Sequence, residues 1–150
     1  MNATPILLIE DGEDDVFFFQ HAVKKAGIAN PLQVAKDGQE ALDYLAGTGK
    51  FADFEKYPPP TLIFLDLKLP RVMGFEVLRR IREQPEWRKL IVLVLTSSAS
   101  DADMAKAYEL GANAYLVKPP ESGRLAVILQ AVKDFWLTHN HTPPREIAIQ

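Results

Sequence analysis

The sequence predicts an α/β fold: a single domain in which a doubly wound, five-stranded parallel sheet is the middle of three layers. Short apolar runs alternate with helix-like patterns five times along the 150 residues, and this alternation favours parallel strands joined by helices. Several runs are apolar at every position, which is typical of strands buried on both faces. The natural strand order for five such units is 2-1-3-4-5, which opens a crevice between strands 1 and 3.

Each element has its own pattern. The predicted strands are apolar runs, and they occupy residues 6–9, 32–35, 62–65, 90–95 and 112–117. The predicted helices carry apolar residues at three- and four-residue spacing, and they occupy residues 16–26, 40–45, 74–84, 101–110 and 121–138. Polar and apolar residues mix at 32–35, so we expect this strand at the edge of the sheet.

Two segments need separate comment. Residues 47–61 show no clear periodicity, and three consecutive prolines at 58–60 predict an extended entry into the central strand. The last helix has two apolar stripes. We expect one to face the core, and it consists of Leu125, Ile128, Val132 and Phe135. The other consists of Leu129 and Trp136, and it is left open between packing, kinase docking and self-association.

Composition excludes several classes of protein. Seventeen basic and 20 acidic residues give a net charge of -3, which argues against nucleic acid as a partner. The chain has no cysteine, so disulfides and thiolate metal sites are excluded. No apolar run is long enough to cross a membrane, and the N-terminus lacks the features of a signal peptide. We therefore expect a cytoplasmic protein without membrane contact.

Chemically active side chains directly follow four of the predicted strands. Glu10 and Asp11 follow the first strand, Asp66 follows the third, and Thr96 and Lys118 follow the fourth and fifth. The carboxyl ends of parallel strands meet at one edge of the sheet, where ligands bind in this class of fold. We therefore expect these five side chains to share one site.

The residue types indicate phosphoryl chemistry. Three carboxylates in one crevice repel one another and require protons or a cation, and Mg2+ suits a site with few protein ligands plus water. An anion of phosphate size would fit between the ion, the hydroxyl of Thr96 and the ammonium of Lys118. Asp66 lies on the most central strand and is the candidate nucleophile, with an acyl phosphate as its product.

Simpler interpretations exist for single residues. Thr96 alone suits a turn and Lys118 alone suits an exposed surface, whereas Asp14 and Asp15 are best explained as helix-start residues. A phosphohydrolase with an aspartyl nucleophile usually has a second acid two residues later, where this chain has Lys68. A nucleotide carrier needs a phosphate-binding loop after strand 1, and the acids there would repel phosphate. The joint placement of the residues argues against the single-residue interpretations, and the last two features argue against a hydrolase and a nucleotide carrier.

This constellation, Glu10-Asp11, Asp66, Thr96 and Lys118-Pro119, resembles the receiver domain of two-component response regulators over about residues 5–138. The resemblance implies a flavodoxin-like fold and a domain over residues 1–138 with a C-terminal tail over 139–150. It also implies that Asp66 accepts a phosphoryl group from a histidine kinase, and that the chain is a phosphoacceptor and not an enzyme.

The resemblance also implies roles for the surrounding residues. Mg2+ would be bound by Asp11, Asp66, the main-chain carbonyl of Lys68 and, through water, Glu10. The phosphoryl oxygens would be bound by Thr96 and Lys118, and Tyr115 would rotate inward as Thr96 moves. The bond between Lys118 and Pro119 would be a cis peptide.

The sequence also predicts a kinase partner and a homodimer. The proline-containing segment at 47–61 and the lack of an output domain resemble small stand-alone regulators that pair with phytochrome-type light-sensing kinases. A homodimer is expected through the last helix and the tail, where residues 145–149 alternate like a strand. The exposed pair Phe17 and Phe18 is left open between packing, kinase docking and self-association.

Overall fold

The structure, a computed structural model, describes residues 4–144. In that part of the chain, five parallel strands form one sheet in the order β2-β1-β3-β4-β5, as predicted. The strands are β1 (Ile6–Ile9), β2 (Leu32–Ala35), β3 (Leu62–Leu65), β4 (Ile91–Thr96) and β5 (Ala114–Val117). The helices are α1 (Glu13–Lys25), α2 (Gly38–Ala46), α3 (Gly74–Glu83), α4 (Asp101–Glu109) and α5 (Ser122–Val132).

Side-chain alternation along the strands builds a core on each face of the sheet. Every second strand residue packs with α2, α3 and α4, and these residues include Leu7, Ile9, Ile63, Leu65, Val92 and Val94. The intervening residues pack with α1 and α5, and they include Ile6, Leu8, Leu62, Phe64, Leu93 and Leu95. Because both faces are covered, the central strands are apolar at every position. The three-layer prediction is confirmed.

Two helices begin earlier than their apolar spacing predicted. In α1 the first turn consists of Glu13, Asp14 and Asp15, whose negative charges interact favourably with the N-terminal end of the helix dipole. In α2 the side chain of Asp37 accepts a hydrogen bond from the N–H of Glu40 at 2.7 Å, which is a standard N-cap. Polar residues at helix starts contribute nothing to apolar periodicity, so spacing alone missed these turns.

The predicted faces of the last helix were partly wrong. Phe135, expected in the core, is 53% exposed, whereas Leu129, for which packing was one of three alternatives, is fully buried in the core. Trp136 also packs partly against the core, from a π-helical segment, Lys133–His139, that continues α5. Ile128 and Leu129 both stand at helical spacing from Leu125, so spacing alone could not select which of them faces the core.

The segment before β3 is held by aromatic packing. Tyr44 in α2 contacts the rings of Phe51 and Tyr57, with centroids 5.2 and 6.0 Å away. Its hydroxyl also donates a hydrogen bond to the carbonyl of Pro58 at 2.7 Å. Phe51 lies in a short 3-10 turn, Gly49–Phe51, and is buried. The segment is thereby anchored to α2 before the chain enters the central strand.

No helix among residues 4–144 combines the length and the apolar character that crossing a membrane requires.

The start of α3 presses closely against the loop that carries Asp66, and a substitution at Gly74 tests this contact. A Cβ at Gly74 would lie 2.4 Å from the carbonyl oxygen of Asp66 and 2.6 Å from the Cα of Leu67. Backbone atoms cannot move aside easily, so we expect Gly74→Ala to lower the free energy of unfolding by about 1–3 kcal/mol. Urea titration measures this change.

Gly123 in α5 provides the matched control, since no heavy atom lies within 4 Å of a Cβ built there. Gly123→Ala should leave stability unchanged or raise it by up to about 1 kcal/mol, because alanine is the better helix former. Equal stability of the two variants would show that the close approach at Gly74 is unimportant.

Candidate functional site

The hydrogen-bond ladder of the sheet brings the predicted residues to one edge. The main-chain N–H groups of Glu10 and Asp66 donate to carbonyls of neighbouring strands at 3.0 and 3.1 Å, and that of Lys118 donates to the carbonyl of Thr96 at 2.8 Å. Pairing therefore extends one residue beyond β1, β3 and β5. The backbone of each residue is held as firmly as that of a strand residue.

Three of these side chains form an acidic cluster. Carboxylate oxygens of Glu10, Asp11 and Asp66 all lie within 4.8 Å of one another. Glu10 and Asp66 are buried, whereas Asp11 is exposed. One oxygen of Glu10 accepts the N–H of Gly12 at 3.1 Å, and one oxygen of Asp66 accepts the N–H of Lys68 at 3.2 Å. These bonds orient both buried acids.

The ammonium of Lys118 lies against the other oxygens of this cluster. Its Nζ is 2.6 Å from Glu10 Oε1 and 3.2 Å from Asp66 Oδ2. A third carboxylate, that of Asp15, is 3.5 Å away. Burial lowers the pKa of Lys118, but the hydrogen bond to Glu10 and the charges of Asp66 and Glu10 outweigh burial and raise it overall. Lys118 therefore stays charged.

Asp15 is the residue that sequence reasoning missed. The helix dipole is a sufficient explanation for an acid in the first turn of α1, so the sequence indicates no further role for Asp15. The structure confirms that position and adds the ion pair with Lys118. Gly12 was the available sequence signal. Because it has no side chain, an acid in the first turn of α1 can approach the end of β1.

Thr96 is the last residue of β4 and has no exposed surface. Its hydroxyl oxygen has no hydrogen-bond partner among residues 4–144. An unsatisfied buried polar group costs about 1–3 kcal/mol and calls for an explanation. An oxygen-rich anion bound at this edge of the sheet would supply the missing acceptor.

The remaining predicted residues lie around the cluster. The Tyr115 side chain is half-buried, and its hydroxyl donates to the carbonyl of Ser98 at 3.0 Å, in the loop that follows Thr96. Lys68 is exposed and contacts Asp66 through its main-chain N–H. The peptide bond between Lys118 and Pro119 is trans, as no cis peptide occurs in the described chain. The implied cis peptide is therefore absent.

The charge balance of the crevice suits a divalent cation. Burial raises the pKa of Glu10 to about 7, and the charge of Asp66 adds to this rise, against the opposing hydrogen bonds from Lys118 and Gly12. One ammonium thus fails to balance the acids, and a proton on Glu10 partly makes up the deficit. Oxygen ligands of this kind are those that Mg2+ prefers.

Without divalent metal, Glu10 should make the fold less stable as the pH rises. The pKa of Glu10 is about 7 in the folded state, against 4.5 for the unperturbed group. The preference of the folded state for the proton therefore stabilises it fully below pH 4.5, and this contribution is lost as the pH rises through 7. Glu10→Gln keeps an uncharged side chain. We expect wild type to lose on the order of 1–2 kcal/mol relative to this variant across that range, because solvent screens part of the interaction.

Urea titrations in a chelator at several pH values measure this difference. In a control series with saturating Mg2+, most of the stability difference between wild type and Glu10→Gln should disappear, because the cation favours the ionised form of Glu10. Parallel stability curves of the two proteins without metal would contradict the prediction.

Comparison with known proteins agrees with this geometry. Among curated proteins, the chain is 36% identical over 141 residues to the probable methanogenesis regulatory protein FilR2 of Methanothrix harundinacea, covering 92% of this chain and 86% of FilR2. It is 37% identical over 132 residues to the response regulator Rcp1 of Synechocystis, covering 88% of each.

Solved structures are similar over almost their whole length. The Mn2+-bound form of Rcp1 has a TM-score of 0.83 at 35% identity, covering 94% of this chain and 99% of Rcp1. The phosphorylated cyanobacterial phytochrome response regulator RcpA has a TM-score of 0.87 at 32% identity, covering 95% and 99%. Residues 6–130 match the response regulator receiver domain, and the chain belongs to that family.

Proposed function

We propose that this chain accepts a phosphoryl group on Asp66 from the phosphohistidine of a histidine kinase, in a reaction that depends on Mg2+, and signals through changed protein–protein contacts. The observation that supports this most directly is the position of Asp66. Its carboxylate is buried beside two further acids, 3.2 Å from an ammonium, at the carboxyl edge of a parallel sheet. The chain would act as a phosphoacceptor and not as a hydrolase of a separate substrate.

The transfer step balances without other reactants. A carboxylate oxygen of Asp66 attacks phosphorus, a P–O bond forms as the P–N bond breaks, and the imidazole keeps the electron pair and takes up a proton from water. Asp11, Asp66, the carbonyl of Lys68 and, through water, Glu10 would hold Mg2+. When bound, that ion neutralises negative charge on the acids and the phosphoryl group.

The phosphorylated Asp66 would be bound by hydrogen-bond donors that already lie near the site. The ammonium of Lys118 would pair with a phosphoryl oxygen, and the unpartnered hydroxyl of Thr96 would donate to another. Movement of Thr96 would shift the loop to which Tyr115 is hydrogen-bonded through Ser98. In this proposal Tyr115 then turns inward and changes the surface that a partner meets.

A phytochrome-type light sensor is the kinase that we propose as partner. The similarity to the phytochrome response regulator RcpA supports it. On α1, Phe17 and Phe18 are 63% and 42% exposed, and such apolar side chains near an active edge suit protein docking. We also propose a cytoplasmic location, and a division into a receiver domain over 1–138 and a tail over 139–150.

Phosphorylation is tested by intact mass after incubation with acetyl phosphate or with a phosphorylated phytochrome-type kinase. We expect one phosphoryl adduct that requires Mg2+, because only a neutralised carboxylate cluster admits a phosphate anion. Asp66→Asn should abolish the adduct, since an amide oxygen is a poor nucleophile. Asp101→Asn, at the exposed start of α4, should retain it.

The two donors separate two parts of the proposal. An adduct from acetyl phosphate but not from the kinase would contradict the phytochrome pairing alone. A folded protein that gains no adduct from either donor would contradict the phosphoacceptor role itself.

We further propose a homodimer through the last helix and the C-terminal tail. Leu129 is buried, so the apolar side chains that remain available are Val127 and Phe135, which are 69% and 53% exposed. Tyr108 on α4 is 52% exposed as well. The predicted strand-like stretch of the tail, residues 145–149, lies outside the described residues.

Light scattering at high micromolar concentration tests the dimer. Phe135→Ser should weaken association by about tenfold or more, because burial of a phenylalanine side chain contributes roughly 1.5–3 kcal/mol. Phe54→Ser, which alters an equally exposed phenylalanine in the segment before β3, should not. A wild-type monomer both with and without phosphodonor would contradict the proposal.

A further inference from the structure

The side chain of Asp15 turns back from α1 towards the site. Asp15 Oδ2 lies 3.5 Å from the Nζ of Lys118, on the more open side of the ammonium, since the Asp15 side chain is 52% exposed against 3% for Glu10 and 10% for Asp66. The neighbouring acid of the same turn, Asp14, is not among the described carboxylates within 4 Å of Lys118. The helix dipole explains a negative charge at both positions, but it does not explain this contact.

Gly12 allows the contact to form. A Cβ built at Gly12 would lie 2.9 Å from Asp15 Oδ2 and 3.5 Å from Glu10 Oε2. Gly12 has an ordinary extended backbone, with φ of -78° and ψ of 120°, so an alanine there would meet no backbone strain. Its methyl group would push aside only the far end of the flexible Asp15 side chain.

We propose that Asp15 is a positioning residue that holds the ammonium of Lys118 on the α1 side of the crevice and so regulates both Mg2+ binding and phosphoryl acceptance. This inference rests on the function proposed above, because it concerns the lysine expected to pair with the phosphoryl group. In this role Asp15 acts through its ion pair with Lys118.

The first consequence concerns the metal. Lys118 and a cation compete for the negative charge of Glu10 and Asp66. A third carboxylate that shares the ammonium leaves more of that charge for the cation. Loss of Asp15 should therefore weaken Mg2+ binding beyond the general effect of removing one negative charge near the site.

The second consequence has the opposite sign. During transfer, Asp15 competes with the phosphoryl oxygens for Lys118 and repels an incoming phosphate anion. With Mg2+ saturating, loss of Asp15 should therefore speed phosphorylation and lower the KM for a small anionic donor. A variant that merely damages the fold would weaken both properties together.

The experiment compares the full-length wild type with Asp15→Asn, Gly12→Ala and the control Asp14→Asn. Calorimetry at low ionic strength gives the dissociation constant for Mg2+, and intact mass against time gives phosphorylation by acetyl phosphate at saturating Mg2+. We expect Asp15→Asn to bind Mg2+ about two- to fivefold more weakly than Asp14→Asn, as a partly exposed ion pair permits. Phosphorylation should be faster, and the KM lower, by a similar factor.

Gly12→Ala provides the independent test, because it keeps the charge of Asp15 and only displaces it. It should shift both quantities in the same directions as Asp15→Asn. The proposal is overturned if Gly12→Ala matches wild type while Asp15→Asn matches Asp14→Asn. The calorimetric result is obtained even if no protein in the series becomes phosphorylated, so failure of the proposed function and failure of this inference remain distinguishable.

Discussion

The pairing of Lys118 with buried carboxylates is the interaction on which the carboxyl edge of the sheet depends. Two acids are buried there within reach of one ammonium, and a buried charge without a partner is strongly destabilising. The covered sheet makes those positions dry, and main-chain hydrogen bonds hold Glu10, Asp66 and Lys118 in place. Packing and charge are therefore coupled. The same core that buries these acids makes their remaining negative charge costly, and a cation bound at the cluster would neutralise it.

Much of this arrangement follows from the order of residue types along the chain. Continuous apolar runs predict strands covered on both faces, and residues at their carboxyl ends converge for geometric reasons, so Glu10, Asp66, Thr96 and Lys118 are readily predicted. The bounds of helices are harder. Acids at the start of α1 and the cap at Asp37 are stabilised by local electrostatics and hydrogen bonding, which apolar spacing does not detect.

Other features could not be predicted for different physical reasons. In the last helix, Ile128 and Leu129 fit helical spacing from Leu125 equally well, and only packing against α1 and the sheet selects Leu129 for the core. Asp15 already had a sufficient local explanation, and its contact with Lys118 joins residues 103 positions apart. The peptide bond before Pro119 is trans, although the resemblance to the family implied a cis bond.

The hydroxyl of Thr96 has a consequence for the balance between conformations. A fully buried donor without a partner raises the free energy of the resting structure, by about 1–3 kcal/mol in comparable cases. Any state in which this hydroxyl finds an acceptor recovers that amount. In the proposed function, the unphosphorylated and phosphorylated structures would therefore be closer in free energy than a fully hydrogen-bonded site would allow, and a modest preference of the phosphoryl group for one of them would suffice to shift the population. Under that proposal, part of the free energy of the conformational change would be present in the fold before any phosphodonor binds.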